Sequence, residues 1–410
     1  MKMKTKNILP YFLLWIAFMY HGAILRSQYS ILMDVVAIIA IVYTLVFHKK
    51  TREREVLIFL GLLLVNIVFV RYINGGGIGI TIWITWMIQI MSIYSVYLLN
   101  KEKFFSRFVK FVALYAVISL VCYVLQIVGV WKSLTPEIMY GGMQFKGILP
   151  LHVTGLHGDK VGRNLSVFYE PGLYQMPLNT ALYFILFFQD KMIMSVKKRN
   201  ICFILILLTL ITTKSTTGYI AFAAIYVCYI MITTRSKKQK GVIILATIAV
   251  VILIDIVLNN ENSIFYNVVI KKLFDENGFN LAASGSGFYR VRTIEYVMEI
   301  IKKYPLGAGY DIYNAFILSQ NQYLNELVGV ECLKAFAYYG SPQMIIMYIY
   351  LIRTAWKRKR NIVQWILVIF LYINTTMAQS AIFYPSLVIL LLINGGRPKK
   401  SLDNRQLQIK

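Results

Sequence analysis

Acidic residues are scarce in this chain: 18 Asp and Glu stand against 43 Lys and Arg in 410 residues. Charge as a whole is short, at 15% of the chain, where soluble domains carry about a quarter. That shortage excludes an ordinary soluble domain. Cysteine is also rare. Cys122, Cys202 and Cys228 lie in apolar runs, Cys332 stands apart, and no two form a CxxC pair, which excludes a disulfide framework and a cysteine metal site. There are four histidines and no HExxH, no GxxxxGK[ST], and no DxD-like pair in either long polar loop. Metal, nucleotide or other cofactor chemistry is therefore not expected. The long apolar runs lack the alternation of barrel strands. No internal repeat of the kind that marks many transporters is visible.

What is present is apolar length. The chain is 58% hydrophobic. Its runs approach or exceed the roughly 17 to 25 residues that cross a bilayer as a helix, the structure that satisfies its own backbone in lipid. Twelve spans are expected, at about 8–25, 30–47, 56–71, 81–99, 108–130, 174–189, 201–213, 218–234, 242–258, 335–353, 361–377 and 380–394. The fold class is thus all-α: one polytopic membrane domain over 1–410, with large outer loops at 131–173 and 259–334. The basic start MKMKTK followed by an apolar stretch has no small-residue cleavage site after it, so it reads as an uncleaved first span. The net charge of +25 then finds a membrane explanation rather than a nucleic-acid one. Of the 43 Lys and Arg, 29 fall in the two termini and the alternate short loops, the pattern of cytoplasmic segments. Both termini are expected in the cytoplasm.

Long loops without linker composition usually carry function. In the second, Ile264, Phe265, Val268, Val269 and Leu273 repeat at helical spacing, as do Val291, Ile294, Val297, Met298 and Ile301. Two amphipathic helices beside a bilayer lie at its surface or cap the bundle.

Four stretches can carry chemistry. VGRNLSVFYEPGLY, 161–174, sets Arg163 and Glu170 just before a span, with Pro171 and Gly172 at its start. A carboxylate there can act as a general base, or can simply favour the positive helix end. SGSGFYRVRTIEYVMEIIKKYPLGAGY, 284–310, puts Arg290 and Arg292 in an expected first helical turn, after a candidate Ser286 cap. Cations are disfavoured there unless an anion binds, and guanidinium forks and free N–H groups both hold phosphate. Two residues apart on a helix means nearly opposite faces, so the two arginines have different surroundings; one can face a phosphate and the other lipid headgroups. Glu299 and Lys303 support the helix as an i,i+4 pair.

LTLITTKSTTGYIAF, 208–222, is a hydroxyl-rich outer turn. Lys214 can reach a phosphate or snorkel, and Ser215, Thr216 and Thr217 can bind sugar hydroxyls or satisfy the turn. SQNQYLNELVGVECLKAFAYYGSPQM, 319–344, offers the amides Gln320, Asn321, Gln322 and Asn325, with Glu326 and Glu331 as alternative bases. Gly340 and Pro342 foretell a break before the next span. His152 and His157 are expected to be solvated loop residues.

In order and sidedness these stretches resemble the O-antigen polymerase and O-antigen ligase superfamily (Wzy-type polysaccharide polymerases). The likeness runs from Gly162 to about Tyr350: FYEPG after one long loop, LTLITTKSTTGYIAF, then an Arg, an amphipathic stretch, a Pro and a Gly-x-Gly, places held by Arg290, Pro305, Gly307 and Gly309. The resemblance implies a bacterial inner-membrane glycosyltransferase acting on undecaprenyl-diphosphate-linked oligosaccharide at the outer face, within O-antigen, capsule or exopolysaccharide synthesis. It implies membrane lipid, a chain-length regulator and a flippase as partners, with no nucleic acid. On it, Arg163, Arg290, Arg292 and Lys214 are expected on the diphosphate and Glu170 and Arg290 in catalysis. Gln320, Asn321 and Tyr310 are expected on glycan. Ligases commonly carry a His-Asn motif where this chain has SQNQYLNE, which favours a polymerase. A flippase would place its cations inside the bundle. Accessibility tagging is expected to find residues 284–310 outside the cytosol; cytosolic labelling there would end this assignment.

Overall fold

The computed structural model describes residues 5–47, 54–74, 80–157, 160–234, 236, 239, 241, 274–275, 278–279, 285–320, 329–359, 361–379 and 382–393. Helices form where the apolar runs foretell them. Before the first outer loop come α1 (Thr5–Met19), α2 (Ile24–Gln28), α3 (Ser30–Phe47), α4 (Arg54–Asn74), α5 (Ile80–Leu99) and α6 (Lys101–Ile127). The short α7 (Val130–Leu134) opens that loop. After it come α8 (Pro171–Phe187), α9 (Val196–Thr212) and α10 (Thr216–Thr233). Then follow α11 (Gly285–Lys303), α12 (Gly309–Gln320), α13 (Glu331–Tyr339), α14 (Ser341–Arg358), α15 (Ile362–Ala378) and α16 (Pro385–Val388). α16 widens into a π-turn at Ile389–Ile393.

Side chains write several helix starts. The side chains of Asn100, Ser195, Ser215 and Asn361 each accept from the backbone N–H three residues on, satisfying a donor the helix leaves free. Four described helices are long and apolar enough to cross a membrane: Ser30–Phe47, Arg54–Ile73, Lys101–Ile127 and Thr216–Thr233. The described residues are mostly helical, an architecture compatible with a polytopic membrane protein. The expected span at 242–258 and the helix at 264–273 lie outside the described residues.

α8 is the centre of the bundle. Every residue from Pro171 to Ile185 is buried, against α6, α9, α10 and α16. A helix apolar on all sides demands neighbours all round. By contrast α3 and α4 turn Ile31, Leu32, Ile39 and Val65 outward, a surface suited to lipid.

The two long connections, 131–173 and 259–334, differ from expectation in part. The first holds no long amphipathic helix among its described residues. It folds as an antiparallel meander of β1 (Glu137–Tyr140), β2 (Met143–Ile148) and β3 (His152–Gly155). Gly141 and Gly142, at φ 56° and 75°, make the two-residue turn that suits strand twist. In the second loop α11 begins at Gly285, so Arg290 falls in the second turn rather than the first. Its buried stripe is Thr293, Val297 and Ile300, whereas Met298 is exposed. The stripe turns this way because α11 packs on a small core shared with α12 and α13, through Ala308, Tyr313, Ile317 and Ala337.

The expected break at Gly340 is present, and its cause lies across the fold. The turn after α11 runs over the α13–α14 junction. Ala308 N–H donates to Ala337 O at 2.7 Å, and Ser341 N–H donates to Pro305 O at 2.8 Å. Gly307 and Gly340 meet there at φ +99° and +83°, and a Cβ on Gly307 would stand 2.6 Å from Gly340 N. Gly307→Ala is therefore expected to destabilise by about 2–5 kcal/mol, from left-handed backbone and backbone overlap together. Gly129→Ala, where φ is +83° but nothing lies near, should cost only about 1–2 kcal/mol. Thermal unfolding of the two purified variants checks the difference.

Candidate active site

Glu170 stands at the N-cap of α8, with Pro171 as the first helical residue. Its side chain makes no capping bond to the helix, although its place at the N-cap still favours the positive helix end. Gly172 presses directly on the Gln379 side chain, leaving no room for a Cβ. The segment before Glu170 is threaded between three parts of the bundle. Ala23 bridges Phe168, and Ile24 N–H donates to Val167 O at 3.0 Å. Asn164 N–H donates to Thr212 O at 3.0 Å, and its side-chain amide donates to the Thr212 hydroxyl at 2.9 Å.

Arg163 takes part in this anchoring. Its Nε donates to Thr213 O at 3.0 Å and its Nη2 to Lys214 O at 2.7 Å. Carbonyls at a helix end need donors, and a guanidinium fork supplies two in fixed geometry. Arg163 and Lys214 are thus brought together, with Lys214 itself at φ 50°. Ser215 caps α10, and Thr217 O accepts from Asn374 Nδ2 at 3.2 Å. Thr212 and Thr213 donate back to Thr209 O and Leu210 O. These hydroxyls and carbonyls serve the turn itself.

Arg290 lies on the buried side of α11, in line with Thr293 and Val297. Its Nε is a buried donor without a hydrogen-bond partner among the described residues. Burial pushes the guanidinium pKa down, and the charge of Glu170 opposes that shift. The fold therefore brings Arg290 and Glu170, 120 positions apart in the chain, into one electrostatic site. Arg292 is elsewhere: half-exposed, 3.9 Å from Glu295 and over the Phe288 ring. The two arginines thus have different surroundings.

Three tyrosines close the Glu170 side. Tyr140 and Tyr169 lie 5.1 Å apart between ring centroids. Burial, then the neighbouring Tyr384 and Glu170, push the Tyr169 hydroxyl pKa well above its ordinary value. Tyr384 and Gln379 are absent from the residues that the motifs single out. A signal for Tyr384 exists, since FYPS at 383–386 repeats the aromatic-then-proline helix start of FYEP at 168–171.

On α13, Glu331 lies 3.8 Å from Lys334, with both side chains largely buried. Burial raises the Glu331 pKa and Lys334 opposes that. Tyr310 is partly exposed and stacks on Tyr338, 6.0 Å between centroids. Gln320 ends α12. Asn321, Gln322, Asn325 and Glu326 lie outside the described residues. Among the described residues no three His, Cys, Asp or Glu side chains converge as metal ligands would.

These features meet a recognised pattern. Residues 201–332 match the family model described as O-antigen ligase. The match makes the chain similar to that family over those residues. It covers α9, α10, α11 with Arg290, and the chain as far as Cys332, while Arg163 and Glu170 lie outside it. Searches among curated proteins and among solved structures return no match.

His152 corrects the expectation of a solvated residue. It is fully buried in β3, edge-on to Trp131 at 5.3 Å, with Nε2 3.2 Å from Gln126 Oε1. Burial drives its pKa down to about 3. The unfolded chain takes up a proton here below about pH 6.5, whereas the folded chain stays neutral, so stability falls as pH drops. Between pH 7 and pH 5 this residue is expected to remove about 2 kcal/mol. His152→Gln should lose that part of the acid sensitivity, measured as thermal midpoints at the two pH values.

Proposed function

We propose that this protein is a polymerase of lipid-linked oligosaccharide repeat units, working at the outer face of the bacterial inner membrane. The reading is supported by the O-antigen ligase family match and carried by one observation. A half-buried guanidinium, Arg290, whose Nε is a buried donor without a partner among the described residues, lies in the field of a carboxylate, Glu170. The donor is a glycan on undecaprenyl diphosphate, and the acceptor is a sugar hydroxyl of the next lipid-linked unit. The acceptor oxygen bonds to the anomeric carbon, the bond from that carbon to the diphosphate oxygen breaks, and its electron pair stays on the leaving oxygen. Fixed cations where that charge develops lower the barrier. Arg290 takes this role, with Arg163 and Lys214 nearby on the diphosphate path and Arg292 toward the headgroups. Glu170 orients the acceptor or takes its proton. Tyr310, Gln320 and Asn321 meet the glycan, where an aromatic face and amides suit sugar. Both termini are cytoplasmic in this topology, and twelve spans carry the loops.

Deletion followed by gel analysis of surface glycan separates the readings. Loss of the ladder with a single-unit product retained is expected. Loss of all surface-attached glycan while lipid-linked polymer remains means a ligase, and accumulation of inward-facing lipid-linked units means a flippase. Arg290→Ala should reduce elongation by about 100–1000-fold at near-normal protein level, whereas Arg292→Ala should change it far less. Unchanged chain length in Arg290→Ala removes that residue from the site.

A further inference from the structure

Polymerase chemistry centred on Glu170 leaves a second buried carboxylate unused. Glu331 opens α13 from an uncommon backbone position. The preceding Val330 is a β-branched residue at φ 57°, a left-handed conformation that persists only where the surroundings enforce it. Here they do. Val330 N–H donates to Met377 O at 3.0 Å, and Gly329 packs against the Met377 and Ala378 carbonyls. Val330 O in turn accepts from Leu333 and Lys334 N–H, both at 3.0 Å, starting α13. This strained turn presents the Glu331 carboxylate inward, where its side chain is 17% exposed and Lys334 Nζ lies 3.8 Å away, itself 8% exposed.

The surroundings of Glu331 are polar without being satisfied. The Tyr339 hydroxyl is buried, lacks a hydrogen-bond partner among the described residues, and lies within the field of Glu331. The Tyr384 hydroxyl lies within the field of both Glu331 and Glu170. α13 also packs against α11, which carries Arg290. A buried orphan hydroxyl is costly unless a bound group completes it. Glu331 and Arg290 are thus carried on two packed helices, with an orphan hydroxyl in the field of Glu331.

We propose that Glu331 accepts the proton of the acceptor sugar hydroxyl, with Lys334 holding its carboxylate and Tyr384 joining it to the Glu170–Arg290 pair. This rests on the glycan-transfer reading. The two carboxylates then divide the work. Glu170 lies in the field of the Arg290 guanidinium, where it orients the acceptor. Glu331 is desolvated, which strengthens it as a base. As the acceptor oxygen bonds to the anomeric carbon, its proton passes to the Glu331 carboxylate. The pair from the breaking anomeric bond goes to the diphosphate oxygen facing Arg290. Glu331 later releases the proton to water.

The test uses the purified full chain in lipid nanodiscs, with a polyprenyl-diphosphate-linked oligosaccharide as donor and acceptor. Glu331→Gln should lower kcat by about 100-fold or more and leave KM within about threefold. Added formate should restore part of the activity of Glu331→Ala and none of that of Glu170→Ala. If Glu331→Gln does not fold, Glu331→Asp decides, since it keeps the ion pair but withdraws the base, and kcat should fall by about tenfold at unchanged KM. Wild-type kcat in Glu331→Gln or Glu331→Asp, or formate rescue confined to Glu170→Ala, overturns the assignment while the polymerase reading stands. A wild-type protein that never elongates the glycan overturns both.

Discussion

Burying a guanidinium away from water is costly unless a counter-charge or a bound anion offsets its lost hydration. The half-buried Arg290 guanidinium in the field of the Glu170 carboxylate is the constraint around which this part of the protein is organised. Each partner needs a rigid carrier. Glu170 has the buried centre of the bundle, α8, whose start is held by Gly172 against Gln379 and by the threaded segment behind it. Arg290 has α11, whose other buried residues pack into the small core of α12 and α13. A displacement of either carrier would leave a half-buried charge facing apolar neighbours.

The same need for partners governs the connections. The α9–α10 turn has carbonyls that its own helices cannot satisfy, and Arg163 supplies the missing donors from the first outer loop. One cation thus fastens the loop bearing Glu170 to the motif bearing Lys214. The Gly307–Gly340 crossing does the corresponding work for the second loop. Two backbones approach so closely there that no side chain fits between them, and the cap of α11 to α13 is locked to the start of α14. Both long connections are therefore tied to the bundle, one through Arg163 and the other through the Gly307–Gly340 crossing. Preorganised charge of this kind is what a leaving diphosphate requires.

Much of this architecture is legible in the order of residues. The apolar runs locate the described helices because an isolated backbone in lipid has few alternatives to a helix. The separation of Arg290 from Arg292 follows from two-residue spacing on a helix, and the Gly340 break from Gly and Pro adjoining a span. The β-meander is harder to see. YGGM between EIMY and QFKGI carries a two-residue turn signal, but the strands on either side are too short to stand out. The first turn of α11 is hidden because SGSG reads as loop by propensity, whereas the helix begins at Gly285. The burial of His152 is hidden because a loop position does not reveal whether a sheet will close over it.

Taken alone, the amino-acid order determined the class of element, the charge asymmetry between alternate loops and the residue types able to meet a diphosphate. These depend on local physics: hydropathy over a span's length, charge distribution between short loops, and helical periodicity. Tertiary structure decided which charges meet. Glu170, Arg290, Tyr384 and Glu331 come from four separated stretches, and their mutual fields depend on distances set by α8 packing on α16 and α11 packing on α13. Coulomb interaction falls with separation in space, and separation along the chain carries no information about it.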